Sequence, residues 1–197
     1  QSGARILMRR RALMREMVSR ARDSFARIGR TPFGVEFSYC PNFLSFSEFD
    51  SATEDDLRES LAIQLAQRLP RDLERRFTSV GPQVDDLDIA LDNHPARQFA
   101  SQGQARALVL AWKIAEIENL KDVNGFLPLL LLDDVSSELD PERNEFFMNY
   151  LAQSGAQTLL TTTDAALVSK TAAPDSIWYD IQNGRATRRP SLQFATH

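Results

Sequence analysis

Leu129-Leu130-Leu131-Leu132-Asp133-Asp134 is the stretch whose reading organises the whole chain. Residues 127–132 are apolar on both faces, the pattern of a strand buried inside a parallel sheet. Two carboxylates at its end put charge at the carboxyl edge, where α/β proteins bind ligands. Asp133 can hold Mg2+ directly or through water, because that ion takes oxygen ligands and keeps several waters. Asp134 can then orient or deprotonate an attacking water. A strand that meets solvent and caps the next segment with acids would carry the same residues.

Elements alternate on either side of that strand. Downstream, Asp140-Pro141 has the form of a helix start, with aspartate as cap and proline at the first position, and the helix runs to about Leu151. Residues 158–161 form a second short buried strand, after which Thr161, Thr162 and Thr163 place hydroxyls at the same ligand edge. Residues 177–181 are expected as a third strand, followed by an Asn183-Gly184 turn. Upstream, Ser101 can cap a helix through Lys121, with Leu108, Ala111, Trp112, Ala115 and Leu120 in the core and Asn124-Gly125 at its end. Strand, helix, strand, helix, strand spells an α/β layer.

Further upstream, Leu87, Ile89 and Leu91 alternate with other residues ahead of an Asp92-Asn93 turn. Phe33, Val35, Phe37 and Tyr39 alternate in the same way. Apolar groups at Ile6, Leu13, Met17, Ala21, Phe25 and Ile28 predict a helix over 5–29, stopped by Gly29 and Pro32. Residues 45–53 read as a polar-aromatic loop. Thr53 can cap a helix carrying Leu57, Leu61, Leu65 and Leu69, until Pro70 kinks it or starts another. No internal repeat is present.

The chain has 197 residues, enough for one domain or slightly more, and is 43% hydrophobic and 25% charged. This is an ordinary globular composition, neither collagen-like nor disordered. Its longest apolar run, 126–132, is seven residues, far short of a membrane span. One cysteine and two histidines exclude an internal disulfide and a His-rich metal centre, and a reducing, cytoplasmic location is expected. Cys40 reads as a strand or loop thiol and His94 as a hairpin-loop residue. The net charge of −4 is unevenly spread. Residues 1–30 hold nine arginines against Glu16 and Asp23, a net of +7, which leaves −11 on the remainder. Arg9, Arg10 and Arg11 are consecutive and spread around a helix, an arrangement suited to diffuse phosphate contact, if not simply a solvated face.

Ala100-Ser101-Gln102-Gly103-Gln104 opens its helix with a hydroxyl, a glycine and unpaired N–H groups, the makings of an anion site or of a plain cap. Together with Leu129–Leu132 and the two acids, Ser137-Glu138-Leu139-Asp140 and Thr163, this order resembles the nucleotide-binding domains of the ABC, SMC and RecF superfamily. Residues 100–104 look like the signature motif, 129–134 the Walker B strand and 137–140 the D-loop. Thr163 stands where many relatives have the switch histidine. Ser-Gln-Gly-Gln at 101–104, Asp-Asp-Val at 133–135 and Gly-Pro-Gln-Val-Asp-Asp-Leu at 81–87 bring the resemblance closest to the RecF family of DNA replication and repair ATPases. That family commonly has His and Arg where this chain has Gln83 and Val84.

The resemblance, dense over 78–164, implies an α/β fold: the C-terminal lobe of a P-loop-type, ABC-like ATPase head with a parallel sheet and flanking helices. Part of a helical arm is expected at 1–76 and the lobe at 77–197. It implies ATP and Mg2+ as cofactors, with Asp133 serving the metal and Asp134 the water, and Thr163 near the reaction. Ser101, Gln102, Gly103 and Gln104 would face ATP held by an opposite subunit, Ser137 and Asp140 would belong to the D-loop, and Gln104 with Asp140 would support the dimer contact. The implied partners are gapped DNA, a second copy joined by ATP, and recombination mediator proteins, with no membrane. No Gly-Lys-Ser/Thr occurs, the only lysines being Lys113, Lys121 and Lys170. The chain therefore reads as the C-terminal half of such a protein, its Walker A lying in a preceding half. A non-hydrolysing module that only docks DNA or protein is the rival.

Overall fold

The computed structural model describes residues 2–29 and 34–189, apart from the side chains of Gly29, Ser137 and Glu138. Phe33 and His197 therefore lie outside the described residues. The chain divides into two compact units, one ending at Pro128 and the other beginning at Leu129. Neither contains a helix long and apolar enough to cross a membrane, among the described residues.

The first unit opens with α1 (Ser2–Gly29), whose buried stripe runs through Ala4, Leu7, Met17, Ala21, Phe25 and Ile28. Ile6 and Leu13, expected on that stripe, lie at its margins and are 44% and 43% exposed. β1 (Val35–Cys40) follows with Val35, Phe37 and Tyr39 inward, the expected alternation. Residues 46–51 depart from the expected loop and form α2 (Phe46–Ser51). Its cause is local: Ser45 and Glu48 make a capping box, and the turn buries Phe49.

Thr53 caps α3 (Glu54–Arg75), again as a capping box, here with Asp56. The helix runs through Pro70 without a new start. Pro70 and Ala66 both face solvent, so water can serve the carbonyl that loses its amide donor. After a 3-10 turn at Pro82–Val84, β2 (Asp86–Leu91) pairs antiparallel with β1, Val35 opposite Leu91 and Cys40 opposite Asp86. Asp92 and Asn93, at φ 46° and 66°, turn the chain into the short β3 (His94–Pro95). After α4 (Ala96–Phe99), α5 (Gln102–Asn124) packs along α1 and meets β1 through the Phe37–Trp112 ring contact. Flanked this way, α5 buries Ala107, Leu108, Leu110, Ala111, Ile114, Ala115 and Ile117. Leu120, expected in that core, is exposed in the penultimate turn. Gly125 ends the helix at φ 76°.

The second unit is built on β4 (Leu130–Asp133), α6 (Val135–Glu138), α7 (Pro141–Ser154) and β5 (Thr158–Thr161). β4 and β5 are parallel, with Leu131 opposite Leu159 and Asp133 opposite Thr161. The expectation of burial on both faces fails at that first pair. Leu131 is 70% and Leu159 55% exposed, because among the described residues one face of this two-stranded sheet is left uncovered. After α8 (Ala166–Ser169), β6 (Tyr179–Gln182) and β7 (Arg185–Arg188) form a hairpin about Asn183-Gly184. The expected third strand thus begins at Tyr179 rather than Ile177. It pairs antiparallel with β7 instead of extending the parallel sheet.

Candidate functional site

The end of β4 gathers several polar groups that constrain one another. Asp134 sits at φ 48°, ψ 27°, in the left-handed region that costs a non-glycine residue about 1 kcal/mol. Its amide donates to both the carbonyl oxygen and the Oγ1 of Thr161, each at 3.1 Å. The Thr161 hydroxyl in turn donates to Asp133 Oδ1 at 2.5 Å. Strand register explains the set, since Asp133 and Thr161 are directly paired at the carboxyl edge. One Asp133 oxygen is thereby anchored. The other, on an exposed side chain, has no hydrogen-bond partner among the described residues.

These oxygens suit a hard cation. No group of three or more His, Cys, Asp or Glu converges on a metal position among the described residues. Mg2+ does not need one, because it commonly takes one or two carboxylates and completes its shell with phosphate and water. The residues therefore fit a shared ion rather than a protein cage.

Two residues beyond Thr161, Thr163 is exposed in a loop tied by Thr162 and Asp164. The Thr162 hydroxyl accepts the Asp164 amide at 3.2 Å, and Asp164 Oδ1 accepts the Ala166 amide at 2.8 Å. Asn144 of α7 donates to the Leu167 carbonyl at 2.5 Å and fastens α8 behind that loop. Asp140 caps α7 by accepting the Arg143 amide at 3.1 Å and also pairs with the Arg143 guanidinium. Burial raises the pKa of Asp140, but those contacts outweigh it and hold the group below its ordinary value. Ser137 lies on α6, its side chain outside the described residues.

In the first unit, Ser101 Oγ accepts the Gln104 amide at 3.2 Å, and Gln104 Oε1 accepts the Ser101 amide at 2.8 Å. Gln102 is exposed and Gly103 half-buried in the turn between them. The arginines differ from one another. Arg10 donates to Tyr39 Oη at 2.9 Å and to the Pro82 carbonyl. Arg11 donates to the carbonyls of Phe49 and Ala52 at 2.7 and 2.8 Å. Arg9 is exposed.

Tyr39 passes its proton toward Asp85 at 2.5 Å, and burial with that bond pushes the phenol up to about 12. Gln83 donates to the Val80 carbonyl at 3.0 Å, closing the loop over Gly81, where φ is 124°. Burial and the Asp88 carboxylate push the Cys40 thiol up to about 11, far from a nucleophile's range. An open groove of about 810 Å3 is lined by Leu61, Leu65, Phe77, Pro82 and Val84 among others, and by none of the expected site residues.

Thr161 joins the acid turn as a residue that the sequence places at the ligand edge without assigning it a partner. The hydroxyl is visible at the strand end, but its partner is fixed only by the register of β4 against β5.

No protein-family model matches the chain. A DNA replication and repair protein RecF from Myxococcus xanthus is 57% identical over 193 residues, covering 98% of this chain and 50% of the relative. The chain belongs to the RecF family. It spans about half the length of the curated relatives it matches and fits the C-terminal half of a RecF. The solved structure of RecF with ATP, described as the recombination mediator protein of the RecFOR pathway, matches with a TM-score of 0.75 and 28% identity. That match covers 95% of this RecF-family chain and 47% of the solved one. An SMC head bound to the C-terminal winged-helix domain of ScpA shares the fold at a TM-score of 0.51 and 13% identity, over 91% of this chain and 44% of that one. The architecture is that of an ABC-like ATPase lobe.

Proposed function

We propose that this chain supplies the Walker B, signature and switch side of a RecF-type, ATP-dependent DNA clamp. The observation that carries the reading is the acid turn: two adjacent carboxylates at the carboxyl edge of a parallel strand, one anchored and open on its second oxygen. Mg2+, when bound, would neutralise charge on the phosphate oxygens. Asp133 would turn its free oxygen to that ion, and Asp134 would accept the proton of the attacking water. Thr163 would lie beside that water in place of a histidine.

Ser101, Gln102, Gly103 and Gln104 would face ATP held by an opposite copy, Ser101 and Gly103 at its γ-phosphate. Gln104 and the D-loop residue Asp140 would support the dimer contact, with Ser137 beside them in the D-loop. The phosphate-cradling Walker A would come from the preceding half of the complete protein, so this chain alone should not hydrolyse ATP. Residues 1–76 would include part of the helical arm and 77–197 the lobe. The complete protein would act in the cytoplasm on gapped DNA, with recombination mediator proteins, and Arg9 would be the most available of the three arginines for phosphate.

The test is the division of labour between the acids in the complete protein. Asp134→Asn should spare Mg-ATP binding and lower turnover about 100-fold, the lower range for losing a positioned base. Asp133→Asn should weaken both. Equal loss of nucleotide binding in the two variants overturns the assignment.

A further inference from the structure

We infer that Thr161 is a positioning residue for the metal-bound nucleotide, holding the Asp133 carboxylate and the Asp134 turn in one arrangement. The inference rests on the reading of Asp133 as a metal ligand. Its own ground is the three-way hydrogen bonding at the carboxyl edge. A hydroxyl offers one donor and two acceptor positions. At Thr161 the donor is given to Asp133 Oδ1, and one acceptor position takes the Asp134 amide. The same side chain therefore sets where the first carboxylate points and where the second one starts.

A neutral donor on one carboxylate oxygen leaves the other for the cation and stops the group from rotating. Outer partners of metal ligands act in this way. Thr161 also lies two residues before Thr163, so the acid turn and the loop carrying Thr163 are tied at one strand end. A purely structural role is poorly suited to these facts. Asp133 is exposed, and the Asp134 amide keeps the Thr161 carbonyl at 3.1 Å if the hydroxyl is lost. No buried group is orphaned by removing the hydroxyl, so the fold has little to lose.

The experiment compares Thr161→Val, which keeps the branched shape, with Thr161→Ser, which keeps the hydroxyl, in the complete protein. Mn2+ is titrated against a non-hydrolysable ATP analogue and its free signal is read by electron paramagnetic resonance. Thr161→Val should weaken Mn2+ binding about tenfold, while metal-free nucleotide affinity and Tm stay at wild-type values. Thr161→Ser should restore Mn2+ binding. A valine variant with wild-type Mn2+ affinity, beside an Asp133→Asn variant that loses it, overturns the role of Thr161 alone. If Asp133→Asn also keeps Mn2+, the metal reading falls and the inference with it. Failure of Thr161→Ser to restore binding overturns it too, since shape rather than the hydroxyl would then matter.

Discussion

The Ser101–Gln104 cap, which opens α5, and the Asp133–Asp134 turn, which closes β4, both put polar groups at the tip of an apolar element, yet they are built on opposite plans. In the cap each partner satisfies the other, hydroxyl to amide and amide to side-chain oxygen. In the turn a non-glycine residue holds φ 48°, and a carboxylate is anchored through one oxygen with the other unpartnered among the described residues. Mutual satisfaction is what helix stability requires. Positive φ by itself marks no ligand, since Asp92, Asn93 and Asn183 adopt it in the hairpin turns of this chain. The open Asp133 oxygen is what the cap has no counterpart for. The acid turn therefore leaves a carboxylate oxygen open where the two cap residues pair with each other, and the proposal that both serve one site needs a test at the cap.

Ser101→Asp is that test and carries the largest expected effect. Aspartate caps as well as serine, so Tm should not fall. If Ser101 meets the γ-phosphate of ATP on an opposite copy, a carboxylate there adds like charge in a poorly solvated interface. A repulsion of about 3 kcal/mol corresponds to roughly 100-fold weaker ATP-dependent association of the complete protein. Analytical ultracentrifugation with ATP reads it. A normal ATP-dependent dimer would leave Ser101 a cap and nothing more, and the contrast between the two places would be complete.

A second contrast lies within α1, between arginines spent inside the unit and one left outside. Arg10 joins α1 to β1 and to the turn after Gly81 through Tyr39 and Pro82. Arg10→Met should cost about 2 kcal/mol, the range for half-buried hydrogen bonds from a charged donor, read as a lower urea midpoint. Arg9→Ala should move stability by less than about 0.5 kcal/mol. Any loss of DNA affinity in the complete protein should follow Arg9. Equal stability losses at both positions would erase the distinction.

Much of this was legible because it is governed by neighbours in sequence. The Ser101, Thr53 and Asp140 caps, the Gly125 stop and the Asn183-Gly184 turn all follow from side chain and backbone within a few residues. The helix at Phe46–Ser51 was equally local, since Ser45 and Glu48 have capping-box spacing, but its aromatic and acidic content reads first as a loop. What the sequence could not carry is pairing. The strand at Tyr179 reads as a member of the parallel sheet until β7 is seen to claim it. Four leucines promise burial on both faces, while Leu131 and Leu159 show one face open. Thr161 acquires its role only from lying opposite Asp133, across 28 residues of chain.

The smallest expected effect lies at a carboxylate of the first unit that serves the fold through one oxygen, the other being buried without a hydrogen-bond partner among the described residues. Asp72, buried near the end of α3, accepts the Ser79 amide on Oδ2 at 3.0 Å. That bond, with Arg68 and Arg71 nearby, holds its carboxyl below the ordinary range. A carboxyl with a lower pKa in the folded state adds stability above its unfolded value of about 3.9. The contribution is lost as pH falls through the lowered folded value. Asp72→Asn should therefore unfold at lower urea than wild type at pH 7 and pH 5, with the difference shrinking from about pH 4 downward. In the complete protein its Mg2+ requirement should match wild type, because Asp72 serves the end of a helix and not the acid turn. A stability difference that stayed constant from pH 7 to about pH 2.5 would show that the Ser79 contact does not favour the ionised form. The carboxylates of the two units would then differ in position only, and not in what the fold asks of them.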